Sequence, residues 1–564
     1  MSKHAVSKIG VRYRSKRVDE LTEASNIDHI VIGSGMGGLT CAASLAKAGK
    51  KVLVLEQHYT AGGFTHCYER NGYEWDVGVH YIGQMGSRYT GPGALFNWIS
   101  DGRLKWDSLG EVYDRFLIDG RSYALPVGKS AYKEFLHQHF PKEKKAIEAY
   151  FKRLTSVERW LPFFFATKFR SIPGLVKASR LLEKCVPADY RKTTSEVFDG
   201  LTDNAELKAV WAGQWGDLGL PPSRSSFFLH CLIASHYLDG GWYPRGGSAE
   251  IARSILPTIE DAGGAVMTYA EVDEIVTDEQ GSNTRVTGVK MKNGQFIECA
   301  SVISSCGWLN TQGMLSSSSA SLLHKDINEE QVYESACHIC LYVGFDTSVD
   351  ALNIPTGNLW VHHSNNFSDD LARFEEDSSQ PLPFVYISSS AARDTTWSKR
   401  YPDKSVMELV AVVPQDEFAQ WQGSDWGKRG AEYEAKKEAW SQRLLDVLYE
   451  QYPQLKGKVD YYELSSPLST QFFMKHQQGE IYGLAHTPDR YKQSGLRPKT
   501  DIEGLFLAGQ DALTSGVVGA AMSGAFAAVE VLGDDYQQQL LNWFRSPLKR
   551  LSKKAKLINP LSAS

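Results

Sequence analysis

The sequence predicts an α/β fold with a Rossmann-like unit at its N-terminal end, and three observations predict it. Residues 28–57, "DHIVIGSGMGGLTCAASLAKAGKKVLVLEQ", read as strand, glycine turn, helix and strand. Residues 504–532, "GLFLAGQDALTSGVVGAAMSGAFAAVEVL", give a second strand, loop and apolar helix far downstream. Between the two lie aromatic-rich helical stretches and then alternating strands, a mixed α+β pattern.

Bulk properties set the limits. A chain of 564 residues favours more than one domain. It is 42% hydrophobic and 23% charged, with a formal charge of −5, too balanced to suggest nucleic acid as a partner. Mean hydropathy is −0.32. No stretch approaches the roughly 18 uninterrupted apolar residues of a transmembrane helix. The first residues, "MSKHAVSKIGVRYRSKRVDELTEASN", are basic and lack an apolar h-region, so no secretory signal is expected. The eight cysteines are scattered, which argues against a disulfide scaffold and for a reducing, cytoplasmic setting. Cys337 and Cys340 have C-x-x-C spacing around His338. The run continues as "CLYVGFD", which reads as a buried strand, so neither a redox pair nor a metal site is expected.

Within the first unit, residues 30–32 form a strand, 33–38 a turn and 39–47 a helix that ends at Gly49. "KVLVLE" is the next strand. Residues from about 100 to 235 read as mainly helical: "SAYKEFLHQHF", "AIEAYFKRLTSVERWLPFFF" and "FFLHCLIASHYL". A helix begins near Ser248, followed by strands with a hairpin at Asn293-Gly294. Ser316 to Ser319 is expected to be a loop. Residues from about 330 to 490 mix strands with one charged helix near 427–450, and no repeats are visible.

Gly33, Gly35 and Gly38 match G-x-G-x-x-G between a strand and a helix. The first allows the tight turn, the second lets the backbone approach a pyrophosphate, and the third lets helix and strand pack closely. The helix N-terminus then presents free N–H groups to phosphate. Glu56 ends the second strand, placed to accept ribose hydroxyls. After it, "EQHYTAGGFTHCYERNGYEWDVGVHYIG" adds Gly62-Gly63 and an extended run to Asp76-Val77-Gly78. A plain NAD domain has no need of that backbone, whereas FAD, longer and bent, does. Downstream, Gly509 and Asp511 follow a strand, with the acid a candidate for holding the ribityl or phosphate region. The apolar helix from Gly516 can set its N-terminus beside the pyrimidine end of the flavin, favouring the anionic reduced form.

At these residues the chain resembles the phytoene desaturase, carotenoid isomerase and retinol saturase superfamily of FAD proteins, with the retinol saturases the nearest likeness. "LVLEQHYTAGGFTHCYERNGYEWDVGVHYIG", "HYLDGGWYPRGGSAEIA" and "GEIYGLAH" with "LFLAGQDALTSGVVGA" carry the resemblance, from about Asp28 to Leu532. It implies a bipartite, amine oxidase-like FAD domain (residues 25–100, 240–325 and 495–535). A mixed α+β substrate or lid domain is inserted (101–239 and 326–494), and a basic tail follows (536–564). It also implies non-covalent FAD contacted by Gly33, Ser34, Gly35, Gly37, Gly38, Glu56, Gln57, Gly62, Gly63, Phe64, Val272, Gly509, Asp511, Val517 and Val518.

The activity so implied is reduction of a carbon–carbon double bond in a long apolar unsaturated lipid, such as a retinoid or carotenoid. Alternatives in the same fold are a redox-neutral cis–trans isomerase and a desaturase; outside enzymology, a lipid-binding flavoprotein. No second glycine-rich βαβ unit is visible for NAD(P)H, and a nicotinamide bound transiently at the flavin face stays open as the electron donor. A polyene offers no charged handle, so the protein's part is to orient it and to supply a proton. His80, Tyr81 and Tyr482, with Glu480 nearby, are the candidates; His80 and Tyr81 also read as packing residues of the flavin site, and Tyr482 as a wall of the tunnel.

In "DGGWYPRGG", Trp242 and Tyr243 are expected to face the substrate tunnel. Arg245 is expected to pair with an acid at the domain junction or, less favoured, to meet a substrate head group. Two basic, aromatic segments are candidates for docking at a membrane surface: "WLPFFFATKFRSIPGLVKASRLL", with Lys168, Arg170, Lys177 and Arg180, and "LLNWFRSPLKRLSKKAKLINPL", with Trp543 and Phe544.

Overall fold

The computed structural model describes residues 8–25, 27–89, 91–171, 186–280, 283–323 and 325–533. The basic C-terminal segment with Trp543 and Phe544, and Lys177 and Arg180 of the other candidate membrane segment, lie outside these residues.

A six-stranded parallel sheet forms one half of the molecule. Its order is Val11–Arg12, Ala265–Thr268, Val52–Leu55, His29–Ile32, Val302–Ser304 and Leu505–Leu507. Apart from the pair His29–Ile32 and Val52–Leu55, strand neighbours therefore come from residues hundreds of positions apart. The short apolar runs are buried on both faces, as a covered parallel sheet requires. Alternation then divides them. Val31, Val54, Val266 and Ile303 face helices Met36–Lys47, Glu250–Glu260 and Gly516–Leu532. Ile30, Leu53, Met267 and Val302 face a three-stranded antiparallel sheet, Val272–Gln280, Asn283–Met291 and Phe296–Glu298. Gly294 turns the last hairpin of that sheet with φ +87°.

The second large sheet has seven strands: Tyr461–Ser465, Cys337–Phe345, Ser405–Val413, Phe384–Ser388, Asn358–His362, Val112–Ile118 and Arg121–Pro126. Asn358–His362 runs parallel to Val112–Ile118, and the other pairs are antiparallel. Helices Lys144–Thr167 and Phe227–Tyr237 share its hydrophobic core. Cys337 and Cys340 both lie on the buried strand Cys337–Phe345, where a spacing of three sends side chains to opposite faces. A small sheet links the halves: Gly241–Pro244 lies between Ile82–Gly83 and Trp106–Ser108.

Two expectations need correction, and a third segment had no structural reading. The region from 100 to 235 is not mainly helical at its start, because Trp106–Ser108, Val112–Ile118 and Arg121–Pro126 are strands. Polar residues interrupt them, exposed at Arg115, Arg121 and Ser122 and buried at Asp107 and Asp114, which breaks the apolar run a strand reading needs. Ser316 to Ser319 is not a loop: helix Ser317–Leu323 starts there and buries Ser319 and Leu323. Residues 11–25, read only for what they lack, supply the edge strand Val11–Arg12 and helix Ser15–Ser25. The helix expected near 427–450 is Ala431–Gln451. Among the described residues no helix is long and apolar enough to cross a membrane, and no group of His, Cys, Asp or Glu is arranged to hold a metal ion.

Candidate functional site

The glycine turn and the closing helix meet. A Cβ on Gly37 would lie 2.7 Å from Gly509 Cα and overlap the Gly509 backbone nitrogen, and one on Gly38 would overlap the Gly33 carbonyl. Helices Met36–Lys47 and Gly516–Leu532 pack equally closely, since a Cβ on Gly524 would strike the Gly37 carbonyl. A Cβ on Gly63 would come within 2.9 Å of Gly35 Cα. At Gly35 itself, a Cβ would meet nothing within 4 Å. That open position sits at the N-cap of Met36–Lys47, where no side chain caps the helix.

Glu56 lies beside the same turn. Ser34 donates its backbone N–H and its hydroxyl to Glu56 Oε2 at 2.8 and 2.7 Å, and His58 N–H reaches Oε1 at 2.7 Å. Gly62 N–H donates to Ser34 Oγ at 3.1 Å, tying the second glycine pair to the first. Val272 opens the strand just beyond Ala270, whose N–H donates to the Glu56 carbonyl at 2.8 Å. Phe64 lies against Gly78. Gln57 faces elsewhere, its amide donating to the Phe473 carbonyl at 3.1 Å.

These features fit FAD. The uncapped helix end and the open face of Gly35 match a pyrophosphate. At the start of Gly516–Leu532, the N-cap Ser515 has a buried hydroxyl without a hydrogen-bond partner among the described residues. Asp511 also has a structural part. Its carboxylate accepts Leu484 N–H at 3.0 Å and Trp308 N–H at 2.8 Å, so it holds two chain segments together beside the cradle. Both segments begin at turns whose N–H groups have no strand or helix partner, and a buried acid satisfies them.

A cavity of about 1180 Å³ adjoins this cradle. Ser515, Gly516, Val517 and Val518 line it, together with Gly78, His80, Tyr81 and Tyr482. Leu161, Phe165, Leu229, Leu232 and Ile233 extend its wall along helices Lys144–Thr167 and Phe227–Tyr237. An apolar, elongated molecule suits such a wall.

The sequence candidates separate here. His80, Tyr81 and Tyr482 reach the cavity. Glu480 does not; its carboxylate accepts Gln478 N–H at 3.0 Å and lies 3.6 Å from His476 Nδ1. His80 has Ser388 Oγ 3.4 Å from its Nδ1, and Arg393 donates to its carbonyl. Burial, with the Arg393 charge and His338 adding to it, lowers the His80 pKa to about 3, so the ring is neutral at pH 7. Burial raises Tyr81 and Tyr482 well above the usual tyrosine value, with nearby acids adding to it.

A buried polar chain behind these residues carries no sequence motif. Tyr81 donates to Asp114 Oδ2 at 3.0 Å and lies 3.4 Å from Asp217 Oδ2. Gln214 donates to Asp114 Oδ2 at 2.7 Å and Asn358 to Oδ1 at 2.6 Å. Tyr386 and Arg393 both donate to Asn358 Oδ1, at 2.7 and 2.6 Å. Asp217 lines the cavity. Burial, then the Asp114 charge, raises its pKa to about 8. Burial raises Asp114 to about 6 against its hydrogen bonds. Asp217 sits in "QWGDLG" and Asp114 in "VYDRF", ordinary surface-looking contexts, and only the fold brings them together.

The stretch "DGGWYPRGG" is corrected in part. Trp242 and Tyr243 do not line the cavity. As the central strand of the small sheet, this segment has neighbours on both edges, and its side chains are taken up by packing. Trp242 packs on Gly86. Tyr243, 1% exposed, donates to Asp76 Oδ2 at 2.6 Å. Arg245 meets an acid, donating to Asp107 Oδ1 from Nε at 3.0 Å and from Nη2 at 2.6 Å. Gly246 and Gly247 have φ of +100° and +101°, the left-handed turn that leads to helix Glu250–Glu260. Gly247 lies beside Glu74, not in the cofactor cradle.

Comparison with known proteins agrees with this geometry. The family model described as flavin containing amine oxidoreductase matches residues 36–532. All-trans-retinol 13,14-reductase of Homo sapiens is 34% identical over 536 residues, covering 92% of this chain and 87% of the relative. The chloroplastic prolycopene isomerase of Arabidopsis thaliana is 24% identical over 531 residues, covering 90% and 83%. The solved structure of wild-type putrescine oxidase bound to putrescine superposes with a TM-score of 0.56 at 16% identity, covering 90% of this chain and 99% of that one.

Proposed function

The chain belongs to the flavin containing amine oxidoreductase family and is an FAD-dependent oxidoreductase; on that premise we propose that it saturates a carbon–carbon double bond of a long apolar polyene, of retinoid or carotenoid type. One observation carries the reading: the cavity is walled by aliphatic and aromatic side chains and runs up to the cofactor cradle. The relative with 34% identity is named for reducing a retinol double bond, which supports the same chemistry.

Bound FAD supplies the electron pair for the reduction. The chain's own residues do the rest. The glycine turn and the N-terminus of Met36–Lys47 hold the phosphates, and Glu56 offers its remaining lone pairs to the ribose. The start of Gly516–Leu532 points partial positive charge at the flavin end of the cradle. Leu229, Leu232 and Ile233 exclude water and align the chain of the substrate. Neutral His80 packs beside Tyr386, with ring centroids 5.4 Å apart, as part of the wall.

A second reading, redox-neutral isomerisation, is supported by the prolycopene isomerase likeness at lower identity. One experiment separates the two. The purified yellow protein is reduced by light without oxygen and given retinoids, carotenoids and unsaturated fatty acids. A product heavier by two hydrogens supports saturation, whereas unchanged mass with a shifted retention time supports isomerisation. Loss of two hydrogens with oxidised enzyme alone marks a desaturase. Supplying NAD(P)H in place of light tests a nicotinamide as electron donor.

We also propose that substrate arrives from a membrane at which the protein docks peripherally. Tyr89, at the cavity, is 56% exposed, and Phe163, on the helix that lines it, is 45% exposed. Free cysteines throughout the described residues support a cytoplasmic setting. Flotation with liposomes, with and without anionic lipid, tests the docking; a protein that stays at the bottom of both gradients ends it.

A further inference from the structure

We propose that Asp217 is the acid that protonates the substrate carbon in the cavity, held in position by Tyr81 and, behind it, by Asp114. The inference rests on the saturation reading and assigns the residue that completes it.

The placement is specific. Asp217 faces the cavity, and its Oδ2 lies 3.4 Å from the Tyr81 hydroxyl. Its Oδ1 forms no hydrogen bond with the described residues. Tyr81 has one hydrogen, and the shorter contact, 3.0 Å, is with Asp114. Asp114 in turn is fixed by Gln214 and Asn358. The carboxyl of Asp217 thus has one oxygen beside the Tyr81 hydroxyl, whose hydrogen goes to Asp114, and the other without a hydrogen-bond partner among the described residues.

The titratable groups around it leave little competition. Tyr81, Tyr237, Tyr386 and Tyr482 hold their protons more tightly than ordinary tyrosines, because burial penalises the phenolate. His80 and His338 are pushed down by burial, to about 3 and about 4, and carry no transferable proton at pH 7. The Arg393 guanidinium, beyond Asn358, stays charged. Glu158, the other carboxyl of the lining, is solvent-exposed and pairs with Lys129 at 3.9 Å. Asp217, protonated below about pH 8, combines an available proton with an acidity near that of the medium.

The step balances. Saturation adds two hydrogens to the alkene. One arrives with an electron pair from the reduced flavin, the reductant of this enzyme class. The other is the Asp217 proton: its O–H bond breaks as the second C–H bond forms, leaving a carboxylate that takes a proton from solvent before the next turnover.

The test uses photoreduced holoenzyme with all-trans-retinol as probe. Asp217→Asn keeps shape and removes the acid. Saturation is expected to fall by about 100-fold or more, with the flavin spectrum retained, and Asp217→Glu is expected to recover part of the loss. Wild-type kcat is expected to decline above about pH 8, a limb missing from the residual activity of Asp217→Asn. An infrared pH titration of wild-type holoenzyme without substrate should show a carboxylic acid band disappearing over the same range. Wild-type turnover in Asp217→Asn, or an unchanged alkaline limb, overturns the inference. Should Asp217→Asn not fold, the same titration of Asp217→Glu decides, because Glu408 is also raised to about 8: a carboxylic acid band near pH 8 identical in Asp217→Glu and wild type belongs to another acid and also overturns it. If the wild-type enzyme gives no product heavier by two hydrogens with any polyene, the saturation reading itself has failed.

Discussion

Gly37 and Gly509 touch backbone to backbone: a Cβ on Gly37 would lie 2.7 Å from Gly509 Cα. The contact joins the first glycine turn to the loop before the closing helix, two segments from opposite ends of the described chain. At neighbouring Gly35, by contrast, a Cβ enters open space. The two glycines therefore serve different ends, one close packing and the other room for a ligand.

Alanine at the two sites should separate folding from cofactor binding. Gly35→Ala should leave the melting temperature of the apoprotein within about 2 °C of wild type, since nothing in the fold opposes the methyl group. It should purify with little or no FAD. Gly37→Ala should lower the melting temperature outright, because the methyl overlaps backbone that cannot move aside. Thermal unfolding of stripped protein and the flavin absorbance check both. Equal FAD content in Gly35→Ala and wild type would remove Gly35 from the cradle.

Tyr243 is predicted to act in stability rather than in substrate binding. Its hydroxyl satisfies buried Asp76, whose other oxygen accepts Ser248 N–H at 3.3 Å. Tyr243→Phe leaves Asp76 short of one donor, which should destabilise the protein by about 1–3 kcal/mol. KM for a polyene substrate should stay the same. Denaturant melts and steady-state kinetics give the two readouts, and a raised KM at unchanged stability would return Tyr243 to the tunnel wall.

Local pattern explains which parts of this molecule were legible in the sequence. Strands His29–Ile32 and Val52–Leu55, the glycine turn between them and helix Gly516–Leu532 have local signatures, because parallel strands buried on both faces are continuous apolar runs. Val112–Ile118 and Arg121–Pro126 were missed since a partly exposed strand pair carries Asp114, Arg115 and Arg121 among its apolar positions. In the site, the glycines and Glu56 declare themselves by spacing. Asp217 and Asp114 do not, for their proximity arises when the turn after helix Ala205–Ala212 closes over a strand nearly a hundred residues earlier. Trp242 and Tyr243 misled for the converse reason: aromatics beside glycines suit a ligand wall, but between two partner strands they pack against Gly86 and Asp76.

Arg245 should matter little to either stability or catalysis. Its side chain is 49% exposed, and Asp107 is its partner at 2.6 Å. Asp107 is only 7% exposed but keeps its hydrogen bond from the Thr395 hydroxyl at 2.6 Å, and with Arg245 open to solvent the pair is worth about 1 kcal/mol. Arg245→Ala should therefore shift the unfolding midpoint only slightly and leave KM unchanged for hydroxylated and acidic lipids alike. A KM raised for those lipids alone would assign Arg245 to a head group after all.

The two buried acids behind the cavity should leave a signature in stability against pH. Their folded-state pKa values, about 8 for Asp217 and about 6 for Asp114, both exceed the usual aspartate value of 3.8. The folded state therefore keeps protons that the unfolded chain has already released. The stabilisation this confers is complete below pH 3.8 and is lost as pH rises through about 6 and then about 8. Other groups complicate the raw curve. His80 and His338 have lowered pKa values and oppose the trend, though only below the usual histidine value of 6.5. Lys168, lowered to about 7 by burial and the neighbouring arginines, opposes it above that value. Comparing wild type with Asp217→Asn cancels both. Between pH 6 and 8 the wild-type protein should lose stability relative to the variant with a limiting slope of about 1.4 kcal/mol per pH unit. Above pH 8 the two curves should run parallel. Urea melts of apoprotein at half-unit pH steps measure the difference directly, and a difference that stays flat across the window would mean that Asp217 is already ionised at neutral pH.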